Sequence, residues 1–190
     1  MMRFLPRIRR LGKDRRGMAA VEFALLAPTL IVVVVGVFEL TLRFRASDEA
    51  TRYVHEVADL VARQSTMASS DLKDLYNAST YMMKPIDTTA NLDMDVAGIG
   101  FSNTPGKDPY LLWDRWSGAQ IPPTLSDAAG LGDVNESVIL VSINYRYASP
   151  ISTLFNGPKL TITRNAYARP RETRMITMDG STGDGTTKSF

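Results

Sequence analysis

The sequence predicts an α+β chain: a long N-terminal helix that continues into a folded domain, a second helix, then about four antiparallel strands. Three observations carry this. From Met18 to Phe38 there are 21 residues with a single charge, Glu22, and a helix of that length covers about 30 Å. No Gly or Pro follows Gly36 until beyond Gln64, and Ala50, Val54, Val57, Ala58 and Val61 recur at helical spacing. From Leu92 the apolar period changes to two, the mark of half-buried strands.

Residues 1–17 form a basic leader, in which Arg3, Arg7, Arg9, Arg10, Lys13, Arg15 and Arg16 face one acid, Asp14. The chain's formal charge of +2 therefore hides a basic leader and a mildly acidic remainder. Those cations are a topology signal and give no reason to expect nucleic acid. The apolar run, 18–42, is long enough to cross a lipid bilayer. The basic flank is expected in the cytoplasm and the remainder on the far side. A secretory signal has a shorter apolar core, and Arg43-Phe44-Arg45-Ala46-Ser47 is a poor small-residue cleavage site. One helix from about Met18 to Gln64 would measure about 70 Å. Its first part is apolar all round and its second has one apolar stripe, as in a helix that spans a membrane and then docks on a domain. Pro28 is expected to kink it.

Residues 65–70 read as a turn. Ser70 or Asp71 caps a second helix, with Leu72, Leu75, Tyr76, Ser79 and Met83 on one face and Pro85 at its end. In the first strand Leu92, Met94 and Val96 alternate with Asp93 and Asp95, and a β-bulge at Gly98 would move Ile99 and Phe101 to the other parity. Turn residues 103–109 lead to a strand from Tyr110 to Trp116. The Gly-, Pro- and Asp-rich stretch 117–136 reads as a surface loop. Ser137 to Tyr147 is the clearest strand: Ile139, Val141, Ile143, Tyr145 and Tyr147 face inward, and Ser142, Asn144 and Arg146 face outward. A connection, 150–158, carries Ile151, Leu154 and Phe155, and a last strand from Lys159 to Ala168 turns Leu160 and Ile162 inward. The folded domain is drawn as 43–171, and the tail 172–190 is expected to be disordered.

The sequence carries no recognisable enzyme or cofactor signature, and neither is expected. Without cysteine there is no disulfide, thiolate or Cys-bearing zinc site. His55, the one histidine, sits among helix charges and lacks the partner and pocket of a general base. There is no nucleophile elbow, P-loop or dinucleotide fingerprint. Asp93 and Asp95 are read as solvent-facing residues of a strand. Asp179 and Asp184 lack the spacing of a calcium loop. Trp113 and Trp116 are read as core or edge-shielding residues, with a binding platform as the alternative.

The organising motif is Gly17-Met18-Ala19-Ala20-Val21-Glu22-Phe23, where leader meets apolar run. It resembles the processing site of type IV prepilins of the Flp/Tad subclass. With Pro28, Val37-Phe38-Glu39-Leu40 and the later Asn165-Ala166-Tyr167-Ala168-Arg169-Pro170-Arg171, the chain is similar to TadE/TadG-type minor pilins over about residues 13–171. The resemblance implies a pilin-like α+β fold and cleavage between Gly17 and Met18 by a prepilin peptidase. It further implies an assembly role for Glu22 and Phe23, in partnership with other Tad pilins and minor pilins and an inner-membrane assembly platform. Its setting would be a single-pass inner-membrane protein with a periplasmic domain, extracellular once in a pilus. Ala20 and Ala24 form a small-xxx-small pair that would let helices approach beside Glu22. The alternative is a signal-anchored envelope protein that binds a ligand or partner through its sheet.

Overall fold

The computed structural model describes residues 17–84, 88, 91–154, 159–183 and 185–190, with the side chains of Ser152 and Leu154 excepted. The leader before Gly17, Pro85, Phe155 and Asp184 lie outside the described residues. The chain divides into two units, 1–42 and 43–190. Helix α1, Met18–Ala62, starts in the first and ends in the second, and its assignment runs unbroken through Pro28.

The first unit has no core among its described residues. Val21, Phe23, Leu25, Ile31, Val34 and Phe38 are all more than half exposed. A helix that is apolar all round and left uncovered by the described residues is suited to a lipid bilayer.

The second unit is a layered α+β domain. Its elements are the rest of α1, β1 (Thr66–Met67), α2 (Ser69–Met82), β2 (Leu92–Phe101), β3 (Pro109–Ser117), a 3₁₀ turn (Leu125–Ala128), β4 (Ser137–Tyr147), α3 (Pro150–Leu154), β5 (Leu160–Ala168), β6 (Thr177–Met178) and β7 (Thr186–Ser189). The main sheet has the order β5-β4-β2-β3-β7. Its four long strands pair antiparallel, and β7 runs parallel to β3. β1 and β6 make a separate parallel pair.

One face of the sheet is the helix face. Met94 pairs with Ile143 and Val96 with Val141 in register, and all four are buried. From α1, Ala50, Tyr53, Val54, Val57, Ala58 and Val61 are buried at the spacing the sequence predicts. Tyr53 fixes the layer: its hydroxyl donates to Leu75 O at 3.0 Å and lies 3.4 Å from Met94 Sδ. Burial raises the Tyr53 pKa. Arg164 of β5 reaches α1 through Ser47 and Thr51. α2 adds Leu72 and Ser79, with Met83 just past its end, and Tyr76 donates to Leu92 O at 2.9 Å. Its start is capped by Asp71, which accepts from Ala68 N at 2.9 Å.

Strand order explains the other face. β3 and β4 flank β2, so the segment joining them must cross over β2. Residues 118–136 do this. They are no mere surface loop: Ala128 is fully buried against Ala97, Ile99 and Leu140, with Leu111, Leu125, Leu131 and Tyr167 around that cluster. The parity switch expected at Gly98 does not occur in β2, which pairs with β4 without a break from Leu92 to Gly100. The register shift falls opposite, where β3 inserts Leu112 between the partners of Gly98 and Ile99. Ile99 and Phe101 thus stay on the face of Asp93 and Asp95, and the crossover buries them there.

Two further expectations fail. Leu160 is 42% exposed, because it opens the edge strand β5 opposite Tyr147, at the margin of the sheet. The tail is ordered over 172–183 and 185–190: Ile176 and Met178 are buried, and β6 and β7 pair with β1 and β3. A tail without apolar period can still dock when its contacts are backbone bonds and a few side chains.

Candidate functional site

The N-terminal candidates sit at the start of α1. Gly17 precedes the helix, and a Cβ placed there would meet nothing within 4 Å. Nothing inside the described chain therefore requires glycine at 17. Met18, Ala20, Glu22, Phe23 and Ala24 are all exposed. Met18 and Glu22 lie four residues apart, one turn along the same helix face. The helix is long and apolar enough to cross a membrane.

A cleft of about 580 Å³ opens in the second unit, lined by His55, Ala58, Asp59 and Ala62 of α1 and by residues 167–171. Small side chains on α1 make the space, and charge closes its rim. Asp59 accepts from Arg63 at 2.5 Å and pairs with Arg171. Arg171 N also donates to Ala62 O at 2.9 Å, and Arg169 donates to Leu131 O. His55 is exposed on this rim. The pairs here are open to water and each contributes little to stability.

Asp93 and Asp95 are not solvent-facing. They are 3% and 2% exposed, and Asp114 beside them is 1% exposed. The crossover covers them with its own donors. Ala119 N donates to Asp93 Oδ1 at 2.9 Å and Ile121 N to Asp95 Oδ2 at 3.1 Å. Gln120 Nε2 donates to Asp114 Oδ2 at 3.1 Å. Arg146 forms a two-pronged ion pair with Asp93. Gly118 permits this approach: its φ is +83°, and a Cβ there would stand 2.3 Å from Asp93 Oδ1. Alternation identified which face these acids share. It could not reveal that a loop would come down on that face. The cue was in the loop, where Gly118 and Pro122 keep residues 119–121 out of regular structure and so leave their backbone N–H groups in need of acceptors.

The tryptophans do not form an exposed platform. Trp113 is 1% exposed, its indole lies over Gly98, and its Nε1 donates to Ile176 O at 3.1 Å. Trp116 is half-buried. Arg115, also buried, clasps the tail from β3: its Nε is 3.0 Å from Asp179 Oδ2 and its Nη1 donates to Thr186 O at 2.9 Å. Asp179 also accepts from Ser69 N at 2.8 Å and Ser69 Oγ at 2.7 Å. Burial works against the Asp179 charge, but the Ser69 and Arg115 donors hold its pKa below the ordinary value. Asp179 is thus committed to structural bonds. Among the described residues no group of three His, Cys, Asp or Glu side chains is placed to hold a metal ion.

Comparison with known proteins bears on the helix more than on the domain. No curated protein and no solved structure matches the chain. Residues 17–59 match the family model described as TadE-like protein, and this identifies the stretch from Gly17 through the membrane-length helix into the start of the domain as TadE-like.

Proposed function

We propose that the chain is a minor pilin or pseudopilin of a Tad-type pilus, anchored by α1 with its folded domain on the periplasmic side. The observation that carries this reading is the family match, which opens at Gly17, where the basic leader meets the apolar helix. The protein works by assembly rather than catalysis. A prepilin peptidase removes the leader between Gly17 and Met18. The new ammonium of Met18 then pairs with Glu22 of a neighbouring subunit, because an unpaired carboxylate within an apolar helix bundle is costly. That pairing sets the register, with Ala20 and Ala24 allowing close approach and Phe23 beside them. Other Tad pilins and the inner-membrane assembly platform are the partners. The rival reading, an anchored binder working through its sheet, is weakened by the burial of Trp113 and the crossover lying on β2.

N-terminal sequencing of the membrane-extracted protein tests this directly. The mature protein should begin at Met18, and Gly17→Leu should retain its leader. Glu22→Leu should be cleaved normally and yet fail to pull down partner pilins. An intact leader on the native protein refutes processing. Wild-type assembly of Glu22→Leu refutes the pairing role.

A further inference from the structure

The crossover segment lies on three buried carboxylates, and the charges around them do not balance. Asp93 has Arg146 of β4. Among the described residues the donors to the Asp95 and Asp114 carboxyls are Ile121 N and Gln120 Nε2, and neither is a cation. Residues 118–136 contain no Lys, Arg or His, so the segment that covers them brings only hydrogen-bond donors. From β4 the residue opposite Asp95 is Ser142, which is neutral. From α2, Tyr76 responds to the charge of Asp93. Asp127 of the 3₁₀ turn acts on Tyr167 of β5 and would add only negative charge. Arg115 points to the helix face, toward the tail. Asp114 Oδ1 is buried with no donor, and Asp95 and Asp114 stand diagonally across the β2–β3 ladder on the same buried face. Two ionised carboxylates in contact in a dry site repel each other strongly. One proton removes the repulsion. It makes one acid a donor to the other and satisfies the orphan oxygen, while Ile121 N and Gln120 keep their acceptors.

We propose that Asp95 and Asp114 share a single proton in the folded protein at neutral pH, and that this proton keeps the crossover segment closed on the sheet. Burial first, and then the hydrogen bond and charge of Asp114, push the Asp95 pKa up to about 9. The folded state therefore holds a proton that an unfolded carboxyl, with its ordinary value of 3.8, has released. The stabilisation is full below the ordinary value, declines as pH rises, and is gone once pH passes the folded value. Above it, a second charge under residues 119–121 loosens the segment and uncovers Ala97, Ile99 and Leu140.

The test uses the full chain in detergent micelles. Infrared spectroscopy at pH 7 should show the carbonyl stretch of one protonated carboxylic acid, lost on titration to pH 10. The unfolding constant should rise about tenfold per pH unit between pH 5 and pH 8, the signature of one linked proton. Asp95→Asn should lose both the band and the slope, because its amide donates to Asp114 without a titratable proton. Gln120→Lys, at an exposed position that already touches Asp114, should also lose both by supplying the missing cation, and it keeps the test open if Asp95→Asn fails to fold. No acid band in the wild type at pH 7, or a band and slope that persist in Gln120→Lys, would overturn the proposal.

Discussion

The two faces of strand β2 are closed by different means. On the helix face, Leu92, Met94 and Val96 meet side chains of α1 and α2, whose backbone donors are already spent inside the helices. Such a cover needs only apolar area, and burial of one Leu- or Val-sized side chain contributes roughly 1.5–3 kcal/mol. On the crossover face the cover is loop. A loop carries unpaired N–H groups, and a buried one must find an acceptor. Asp93, Asp95 and Asp114 are those acceptors, taking bonds from Ala119, Ile121 and Gln120. The difference teaches why a strand with acids on its outer parity need not be half-solvated. A loop crossing a sheet selects polar side chains beneath it for the same reason that a helix selects apolar ones.

The largest effect should come from placing a charge under the helices. Ile143→Asp buries a carboxylate beside Met94 on the helix face, where the one charged strand neighbour, Arg164, is already bonded to Ser47 and Thr51, which should cost about 4 kcal/mol and unfold the domain. Circular dichroism with urea titration of the full chain in detergent measures it. Thr161→Asp, exposed on the other face of β5 and opposite Arg146, is the mild control. Ser142→Asp is not mild: Ser142 is buried opposite Asp95, and an added acid there would worsen the charge excess. If Ile143→Asp and Thr161→Asp behave alike, the two faces of the sheet are not closed by different means.

Gly98→Ala sharpens the comparison from the helix face. The new Cβ would stand 2.6 Å from Trp113 Cε2, so the indole must shift and its bond to Ile176 O weakens. A loss of about 1–3 kcal/mol is expected, with a red shift in tryptophan emission. Unchanged emission would mean that the indole has room to spare.

The smallest effect concerns the tail. Asp179→Asn removes the charge facing buried Arg115 but keeps the side chain's shape, and Asn tolerates the positive φ of 51° there. The site is partly open to water, so about 1 kcal/mol is expected. Because the folded Asp179 pKa is depressed, its contribution is present above the ordinary carboxylate value and disappears as pH falls through the folded value. The variant should flatten the acid limb of the stability profile and leave the alkaline limb, assigned to Asp95, unchanged. A lost alkaline limb would show that the two sites are coupled.

Much of the fold was legible because it is periodic. The apolar stripe of α1 falls where its spacing places it, and β4 spans Ser137–Tyr147 as read from alternation. α2 starts at Ser69 behind Ala68, one or two residues before the expected Ser70 or Asp71, because Asp71 caps from inside the first turn rather than standing before it. The tail was illegible for a different reason. Its attachment depends on Trp113, Arg115 and Ser69, which are distant in sequence and carry no periodic signal. Leu160 was misread because alternation reports a side chain's direction and says nothing of how far the cover extends.

By itself the sequence determined the membrane-length helix, the motif at Gly17–Phe23 and the division of each strand into two sets of side chains. These are local properties, set by composition and by the 3.6- and 2-residue periods of the backbone. Only the tertiary structure decided what covers each set. Pairing β2 between β3 and β4 forces the connection across one face, and that crossing turns two surface-patterned aspartates, with Asp114 beside them, into a buried layer. Strand order is a long-range choice among pairings of similar local cost, so the physical meaning of Asp95 and Asp114 appears only once it has been made.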